Sequence, residues 1–224
     1  KVTYGNGLFV AVANSGTDRV MTSTNGTQWT SQAASAASTW RSVAYGNGLF
    51  VAVADTGTTR VMTSTNGSQW NSQSIAYLSS WHDVTYGNGN FVAVGYSGTD
   101  RVMTSTNGSS WVASTPPLTS SWFSVSYGAG YFVADGGGHL ITSQDGTTWT
   151  ERSLPISGGW RGSAYGNGRF VLVSYSSTVA TQRVLTSDVS PALAPIPDSG
   201  LLTLAGLLVI FGVLQLRRRS DNAA

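Results

Sequence analysis

The chain of 224 residues has no cysteine, two histidines and charged side chains at only 10% of its positions. Disulfides and thiolate sites are therefore excluded, and two histidines give little basis for a transition-metal site. Nine basic and nine acidic side chains precede Arg217, so the basic excess lies in the last residues. No glycine-rich loop opens a helix that could bind phosphate. We expect no metal, no cofactor and no nucleic-acid partner.

A phrase beginning with Tyr-Gly recurs along the chain. Its copies start at Tyr4, Tyr45, Tyr86, Tyr127 and Tyr165, an interval of about 41 residues that is typical of propeller blades and solenoid units. Short β-branched and aromatic runs between turn residues predict strands. Two Asn-Gly or Asp-Gly turns in most units predict two hairpins with type I′ turns. The fold class is therefore all-β: a β-propeller of four-stranded blades, with five repeats here in an array that need not be complete.

Two tryptophans recur in most units. One begins the first strand, and the other follows the second turn; they are Trp40, Trp81, Trp122 and Trp160, and Trp29, Trp70, Trp111 and Trp149. A single blade exposes two apolar faces, and tryptophan is large enough to fill the wedge between blades. We therefore predict an inter-blade core for these side chains rather than a ligand-stacking role.

The second turn of each unit carries a recognisable motif. Ser143–Trp149 reads Ser-Gln-Asp-Gly-Thr-Thr-Trp, and 23–29, 64–70 and 105–111 follow the same pattern. These segments resemble the Asp-box (BNR-type) repeat of sialidase-like propellers and the related repeats of photosystem II assembly factors. Asn replaces Asp in three copies, and the fifth unit lacks the Gly and the Trp. In that family the box is a structural hairpin, so the resemblance implies a fold and not catalysis.

Sialidase activity, as the resemblance implies it, needs an arginine cluster, a tyrosine nucleophile and a glutamate. Glu151 is the only glutamate in this chain. The four arginines at equivalent repeat positions are expected to point outward; they are Arg19, Arg60, Arg101 and Arg183. We name no catalytic residues and expect a non-enzymatic protein, with an exported glycoside hydrolase as the alternative.

The connections between units vary in sequence, unlike the Asn-Gly turns, and lie on the opposite face of the blades. They lead into the innermost strands, where propellers commonly bind ligands at the axis. The candidate ligand-binding residues at this funnel mouth are Arg41, His82, Asp83, Phe123 and Arg161. The alternative is that these are ordinary residues at strand entries.

The C-terminal segment changes in composition. Residues 1–188 are assigned to the propeller, 189–200 to a Pro/Ala linker with a sorting motif, 201–219 to a transmembrane helix with a basic stop, and 220–224 to a tail. Leu201 to Leu216 carry no charge, and arginines after an apolar span favour a cytoplasmic end. The motif and stop consist of Ile196, Pro197, Asp198, Ser199 and Gly200, then Arg217, Arg218 and Arg219.

This arrangement resembles the Val-Pro-Asp-Ser-Gly variant of the PEP-CTERM sorting signal, which implies an exosortase-type partner. A relaxed sortase signal and a plain single-span anchor are the alternatives. The sequence thus predicts an exported bacterial surface protein, held at the cell envelope or cleaved and released at the surface. Its propeller is expected to bind a polysaccharide or a surface protein, or to be a purely structural matrix component. Because the chain starts at Lys1 with no apolar signal region, we expect a fragment or a processed form.

Overall fold

The computed structural model describes residues 1–177 and 183–187, which form nineteen strands and no helix. The first two units contain β1 Val2–Gly5, β2 Leu8–Val12, β3 Val20–Ser23, β4 Thr30–Gln32, β5 Trp40–Gly46, β6 Leu49–Ala54, β7 Val61–Ser64 and β8 Asn71–Gln73. The third and fourth contain β9 Ser80–Gly87, β10 Asn90–Ser97, β11 Val102–Ser105, β12 Val112–Ser114, β13 Ser124–Gly128, β14 Tyr131–Gly136, β15 His139–Ser143 and β16 Thr150–Arg152. The fifth contains β17 Gly158–Gly166, β18 Arg169–Ser177 and β19 Val184–Thr186.

Each unit forms one antiparallel sheet with its strands in chain order. The first four sheets have four strands, and we call them blades 1 to 4. Blade 5 has three strands, β17 to β19, within the described residues. The sequence signal is consistent with this difference, because the fifth unit lacks the Gly and Trp of the second hairpin. The predicted all-β architecture is confirmed.

The two turns of a blade differ in backbone conformation. In the first turn of blade 2, Asn47 and Gly48 have φ angles of 49° and 75°, as a type I′ turn requires. In the second turn Gly67 has a φ of 75°, but the φ of Asn66 is not positive. The type I′ prediction is therefore wrong for the second turn.

Side-chain hydrogen bonds explain this second conformation. The Asn66 Oδ1 atom accepts hydrogen bonds from the backbone N–H groups of Ser68 and Gln69, at 3.0 and 2.9 Å. The Gly67 N–H donates to the Ser64 hydroxyl at 2.8 Å. Asparagine and serine side chains can replace backbone turn bonds in this way. The motif at 64–70 thus encodes a longer, side-chain-stabilised loop.

The hydrophobic core lies between blades. Trp70, just before β8, packs with Val10 and Val20 of blade 1, and its indole N–H donates to the Gly67 carbonyl at 2.9 Å. The tryptophans that begin the first strands are fully or almost fully buried; they are Trp40, Trp81, Trp122 and Trp160. The predicted inter-blade core is confirmed for seven of the eight tryptophans, whereas Trp29 is only half-buried.

The first strands of all five blades face one central cavity. Its volume is about 300 Å³, and its lining includes Lys1, Val43, Thr85, Ser126 and Ser163, one residue from each blade. The blades are therefore arranged around an axis. The loops between units meet at one end of that axis, where the candidate binding residues begin their strands.

Candidate functional site

Three of the five predicted site residues occupy β-bulges. In blade 2 the pairing shifts between Trp40 and Ser42, which leaves Arg41 as the extra residue. The same shift leaves His82 unpaired in blade 3 and Arg161 unpaired in blade 5. A bulge bends its strand and re-aims a side chain, and bulges are frequent beside binding sites. The repeat therefore presents a side chain at the same entry point in three blades.

Each bulge residue contacts the residue five positions after the phenylalanine that recurs in the second strand of its own blade. Arg41 pairs with Asp55 in blade 2, with Nη2 and Oδ2 2.6 Å apart. In blade 3 the His82 ring meets the edge of the Tyr96 ring at a centroid distance of 6.1 Å. In blade 5 the Arg161 guanidinium lies 4.3 Å from the Tyr175 ring centroid.

Aromatic contacts connect these pairs across blades 3, 4 and 5. The Phe123 ring lies 5.3 Å from the His82 ring in an edge-to-face contact, and is stacked parallel to Tyr96 at 6.1 Å. On blade 5, Arg161 lies 4.5 Å from the Phe123 ring centroid. We call His82, Tyr96, Phe123, Arg161 and Tyr175 the aromatic rim. The structure thus brings together His82, Phe123 and Arg161 of the predicted set.

Arg161 is the most available cation of the aromatic rim. Its guanidinium lies between the rings of Phe123 and Tyr175 and makes no hydrogen bond to any residue within 1–177 or 183–187. Stacking on aromatic faces uses the flat surface of a guanidinium and leaves its in-plane N–H groups free. Arg161 is exposed, so these donors can reach a ligand.

His82 contributes an acceptor. Its Nδ1 atom lies 2.8 Å from the Phe123 carbonyl oxygen, which can only accept, so Nδ1 carries the proton. Burial lowers the pKa of His82 below its ordinary value, although the Phe123 carbonyl raises it in part. The ring is therefore neutral at pH 7. Its Nε2 atom is left as a hydrogen-bond acceptor.

Asp83 lies apart from the aromatic rim. It is 2% exposed, and its carboxylate accepts bonds from Lys1 Nζ at 2.9 and 3.1 Å and from the Ser42 hydroxyl at 2.6 Å. The backbone N–H groups of Val84 and Val125 donate to it at 3.0 and 3.1 Å. These five bonds join blades 1, 2, 3 and 4. Asp83 thus has a clear structural role, and its ligand-binding role stays a prediction.

Arg41 is likewise held by a structural partner. Both its Nε and its Nη2 lie 2.6 Å from Oδ2 of Asp55, which is 2% exposed. Within the described residues, Arg41 makes no hydrogen bond or ring contact with the aromatic rim, so it forms a separate cation on the blade 2 side of the axis.

Sequence reasoning missed Tyr96 and Tyr175. Both lie at the end of the second strand, five residues after Phe91 and Phe170, where blade 2 has Asp55. A comparison of equivalent repeat positions could have found them. The residue five positions after the phenylalanine is acidic in blade 2, where the bulge residue is Arg41, and aromatic in blades 3 and 5, where the bulge residues are His82 and Arg161.

A buried carboxyl group was also missed. Asp135 is 0% exposed, and neither of its oxygens has a hydrogen-bond partner within 3.5 Å in the described part of the chain, although the Ser163 hydroxyl is near enough to lower the pKa of Asp135 in part. It occupies the position of Val53 and Val94 in blades 2 and 3, facing the next blade. Burial raises its pKa to about 7.

Three of the recurrent arginines donate hydrogen bonds to loop carbonyls. Arg60 Nη1 donates to the Leu78 and Ser79 carbonyls at 2.5 and 2.7 Å, on the loop that enters blade 3. Arg19 and Arg101 make equivalent bonds to the loops entering blades 2 and 4. These three arginines thus satisfy loop carbonyls at blade transitions, and their outward direction stays a prediction.

Glu151 lies on the outermost strand of blade 4. Its Oε1 atom is 3.2 Å from Nδ1 of His139, and both side chains are exposed. Within 1–177 and 183–187, no three His, Cys, Asp or Glu side chains are grouped so that they could hold a metal ion. The same residues include no helix able to cross a membrane. The sorting motif and the predicted span, 189–219, lie outside the described residues.

No family model matches the sequence, and no curated protein matches it. Solved structures do match. The structure of "YCF48 bound to D1 peptide" has a TM-score of 0.57 at 17% identity, covering 81% of this chain and 59% of that chain. A nidogen/laminin complex has a TM-score of 0.62 at 10% identity, covering 82% and 72%. The fold is a β-propeller.

A computationally designed protein, Ika8, is similar as well, with a TM-score of 0.60 at 13% identity and coverages of 84% and 57%. At these identities the likeness shows the fold alone. This propeller chain spans about 59% of the YCF48 chain that it matches.

Proposed function

We propose that this propeller is a non-enzymatic binding module that takes a polypeptide ligand at the aromatic rim. The observation that carries the proposal is the position of Arg161, whose flat surface is fixed between two rings while its N–H groups donate to no other residue in the described part of the chain. A fixed guanidinium loses little freedom when it binds, and its fork suits carbonyl and carboxylate oxygens.

The arrangement of the rings favours a polypeptide over a polysaccharide. The Arg161 guanidinium lies over one face of Phe123 and one face of Tyr175, so these two faces are not open to a sugar ring. What the aromatic rim offers is donors from Arg161, an acceptor at His82 Nε2 and ring edges. These groups complement backbone amides and carbonyls. Two of the similar structures are complexes with a peptide or with a protein partner, which supports the same choice.

The carboxylates argue against the hydrolase alternative. Glycoside hydrolysis commonly uses two carboxyl groups about 5–9 Å apart at the scissile bond. Asp55 is ion-paired with Arg41, Asp83 accepts five hydrogen bonds, and Glu151 lies on an outermost strand. No pair of free carboxylates faces the aromatic rim in the described part of the chain.

Peptide display against the detergent-solubilised full-length chain tests the ligand class. We expect enrichment of peptides that compete with one another for one site. A glycan array run in parallel would reverse the choice if it gave specific binding where the peptide library gave none. Binding by neither would favour the structural-matrix alternative.

We further propose that the tail holds this module at the outside of the cell envelope. The support is the motif Ile196 to Gly200, followed by an uncharged apolar segment and three arginines. An exosortase-type enzyme would be the processing partner, with a sortase-type enzyme or an unprocessed anchor as the alternatives.

Expression behind a signal peptide, in a host with the matching enzyme, tests this location. Full-length chains should be membrane-held or cleaved near Gly200, and chains lacking residues 198–224 should be secreted. A full-length chain that stays soluble and uncleaved would remove the basis for anchoring.

A further inference from the structure

The interface between blades 4 and 5 has a polar pair where the three preceding interfaces have two valines. At each of those interfaces both positions lie in one buried cluster: Val12 with Val43, Val53 with Val84, and Val94 with Val125. The equivalent residues of blades 4 and 5 are Asp135 and Ser163. Among the four described interfaces, this is the one at which both positions are polar.

Ser163 joins this pair to the first strand of blade 4. Its hydroxyl lies 3.0 Å from the hydroxyls of both Ser124 and Ser126, and its N–H donates to the Ser124 hydroxyl at 2.9 Å. Ser124 is also the partner of Asp135 in the register of β13 and β14. Two valines would pack this interface without burying a carboxyl group, so packing alone does not explain Asp135.

The same backbone segments hold the contact between Phe123 and Arg161. The Phe123 N–H donates to the Asp135 carbonyl oxygen at 2.9 Å, and Phe123 directly precedes Ser124. On blade 5, Ser163 lies two residues after Arg161 in β17. A change in the packing of Asp135 against Ser163 therefore acts on both sides of this cation–π contact.

A small set of groups determines the charge of Asp135. Burial raises the pKa of Asp135 to about 7, and the Asp83 carboxylate on β9 raises it further. The Ser163 hydroxyl lowers this pKa in part, and so does Lys1, whose ammonium group bonds to Asp83. Both charge states of Asp135 are therefore accessible near neutral pH.

The other charged groups on the strands packed against Asp135 have contacts elsewhere. On β15, His139 is exposed, and its Nδ1 atom lies 3.2 Å from Oε1 of Glu151. On β17, the Arg161 guanidinium lies between two rings of the aromatic rim. The first strand of blade 4, β13, carries no acidic or basic side chain.

We propose that Asp135 and Ser163 are positioning residues of the aromatic rim, and that the uncharged form of Asp135 holds Phe123 and Arg161 in the geometry that binds ligand. An uncharged carboxyl group can donate a hydrogen bond to the nearby Ser163 hydroxyl and stay in the interface. A carboxylate has no proton to donate, and its burial costs much more free energy, so ionisation favours entry of water between β14 and β17. The proposal rests on the proposed function and states how binding at the aromatic rim depends on pH.

Ligand binding should therefore be coupled to protonation of Asp135. A display-selected peptide should bind the full-length chain more tightly at pH 6 than at pH 8, by about fivefold to tenfold, within the usual range for coupled sites. By reciprocity, the bound peptide raises the pKa of Asp135, so binding near pH 7 takes up protons. Calorimetry in buffers of different ionisation enthalpy measures this uptake.

Three variants assign the pH dependence to this pair. Asp135→Asn mimics the uncharged form, so it should bind at both pH values as tightly as wild type does at pH 6. Asp18→Asn makes the same chemical change at an exposed position and should keep the full pH dependence. Ser163→Ala should move the midpoint of the pH profile upward, because Ser163 lowers the pKa of Asp135. Identical pH profiles for wild type and Asp135→Asn would overturn the proposal.

Hydrogen exchange without ligand separates this proposal from the proposed function. Exchange in residues 158–166, corrected for its intrinsic pH dependence, should be faster in wild type than in Asp135→Asn at pH 8 and equal at pH 5. That difference without any peptide binding would support the role of Asp135 while the proposed function fails. Equal exchange at both pH values would contradict the role of Asp135, whatever binds at the aromatic rim. If Asp135→Asn does not fold, Asp135→Val, which restores the valine of the other interfaces, takes its place with the same expectations.

Discussion

The Arg161 guanidinium carbon lies 4.5 Å from the ring centroid of Phe123; Phe123 immediately precedes β13, and Arg161 is the bulge residue of β17 in the neighbouring blade. The contact exists only because the β17 bulge and the start of β13 meet at the axis. A binding surface assembled this way depends on the packing between blades.

Asp83 stabilises the axis through five hydrogen bonds from four blades. We predict that Asp83→Ala lowers the free energy of unfolding by about 3–5 kcal/mol, because the Ser42 hydroxyl and two buried N–H groups lose their acceptor. Urea denaturation measures this. Asp18→Ala, an exposed carboxylate, is the control and should change stability by less than about 0.5 kcal/mol. Equal effects of the two substitutions would remove Asp83 from its central role.

Asp135 should make stability depend on pH. Its folded pKa of about 7 lies above the unfolded value of 3.8, so the folded state holds the proton more tightly. Its contribution to stability is present below pH 4 and is lost as pH rises towards 7. Asp135→Val, which restores the residue of blades 2 and 3, should stabilise the fold by about 2–4 kcal/mol at pH 8 and much less at pH 4. A pH-independent difference in thermal denaturation would contradict this assignment.

Trp70 and Trp29 occupy equivalent positions with different surroundings. Trp70 packs onto blade 1, whereas Trp29 has no described blade before it and is only half-buried. We predict that Trp70→Ala costs about 3–5 kcal/mol of stability and Trp29→Ala less than half of that. A loss below about 1 kcal/mol for Trp70→Ala would place this side chain outside the core.

Ala129 is the only residue other than asparagine or glycine with positive φ in the described part of the chain, at 49°. The four other blades have asparagine at this turn position, which tolerates the left-handed region better. Ala129→Asn should therefore stabilise the protein by about 1 kcal/mol. Ala76→Asn, in an exposed loop without positive φ, should be neutral. A destabilising Ala129→Asn would be inconsistent with the type I′ turn.

The sequence predicts the fold well because its signals repeat. A Tyr-Gly phrase and a tryptophan at fixed spacing define five sheets, and Trp70 was correctly placed between blades. The second turn was misread because Asn66 hydrogen-bonds through its side chain, and a dipeptide pattern does not show this. The hydrogen-bond partners of the arginines were not predicted, because the acceptors of Arg60 lie in a loop 18 residues later that only the fold brings close.

The candidate site was recognised in part. Positions near the starts of the first strands predicted His82, Phe123 and Arg161 as site residues. They did not predict the bulges at His82 and Arg161. Tyr96 and Tyr175 come from different strands, and their pairing with the bulge residues appears only when the register of two strands is known. Asp135 directly follows an apolar run in the sequence, and nothing in that run shows that its carboxyl group is buried.

The affinity of a display-selected peptide for Arg161→Ala tests the central claim most directly. Arg169 is the matched control, since it is exposed on the same blade next to the Asn167-Gly168 turn at the opposite end of β17 and β18. By titration calorimetry, Arg161→Ala should weaken binding about tenfold to a hundredfold, as for a central interface arginine, and Arg169→Ala should leave it unchanged. Equal affinity of wild type and Arg161→Ala would show that the peptide binds elsewhere and that the aromatic rim is not the binding site.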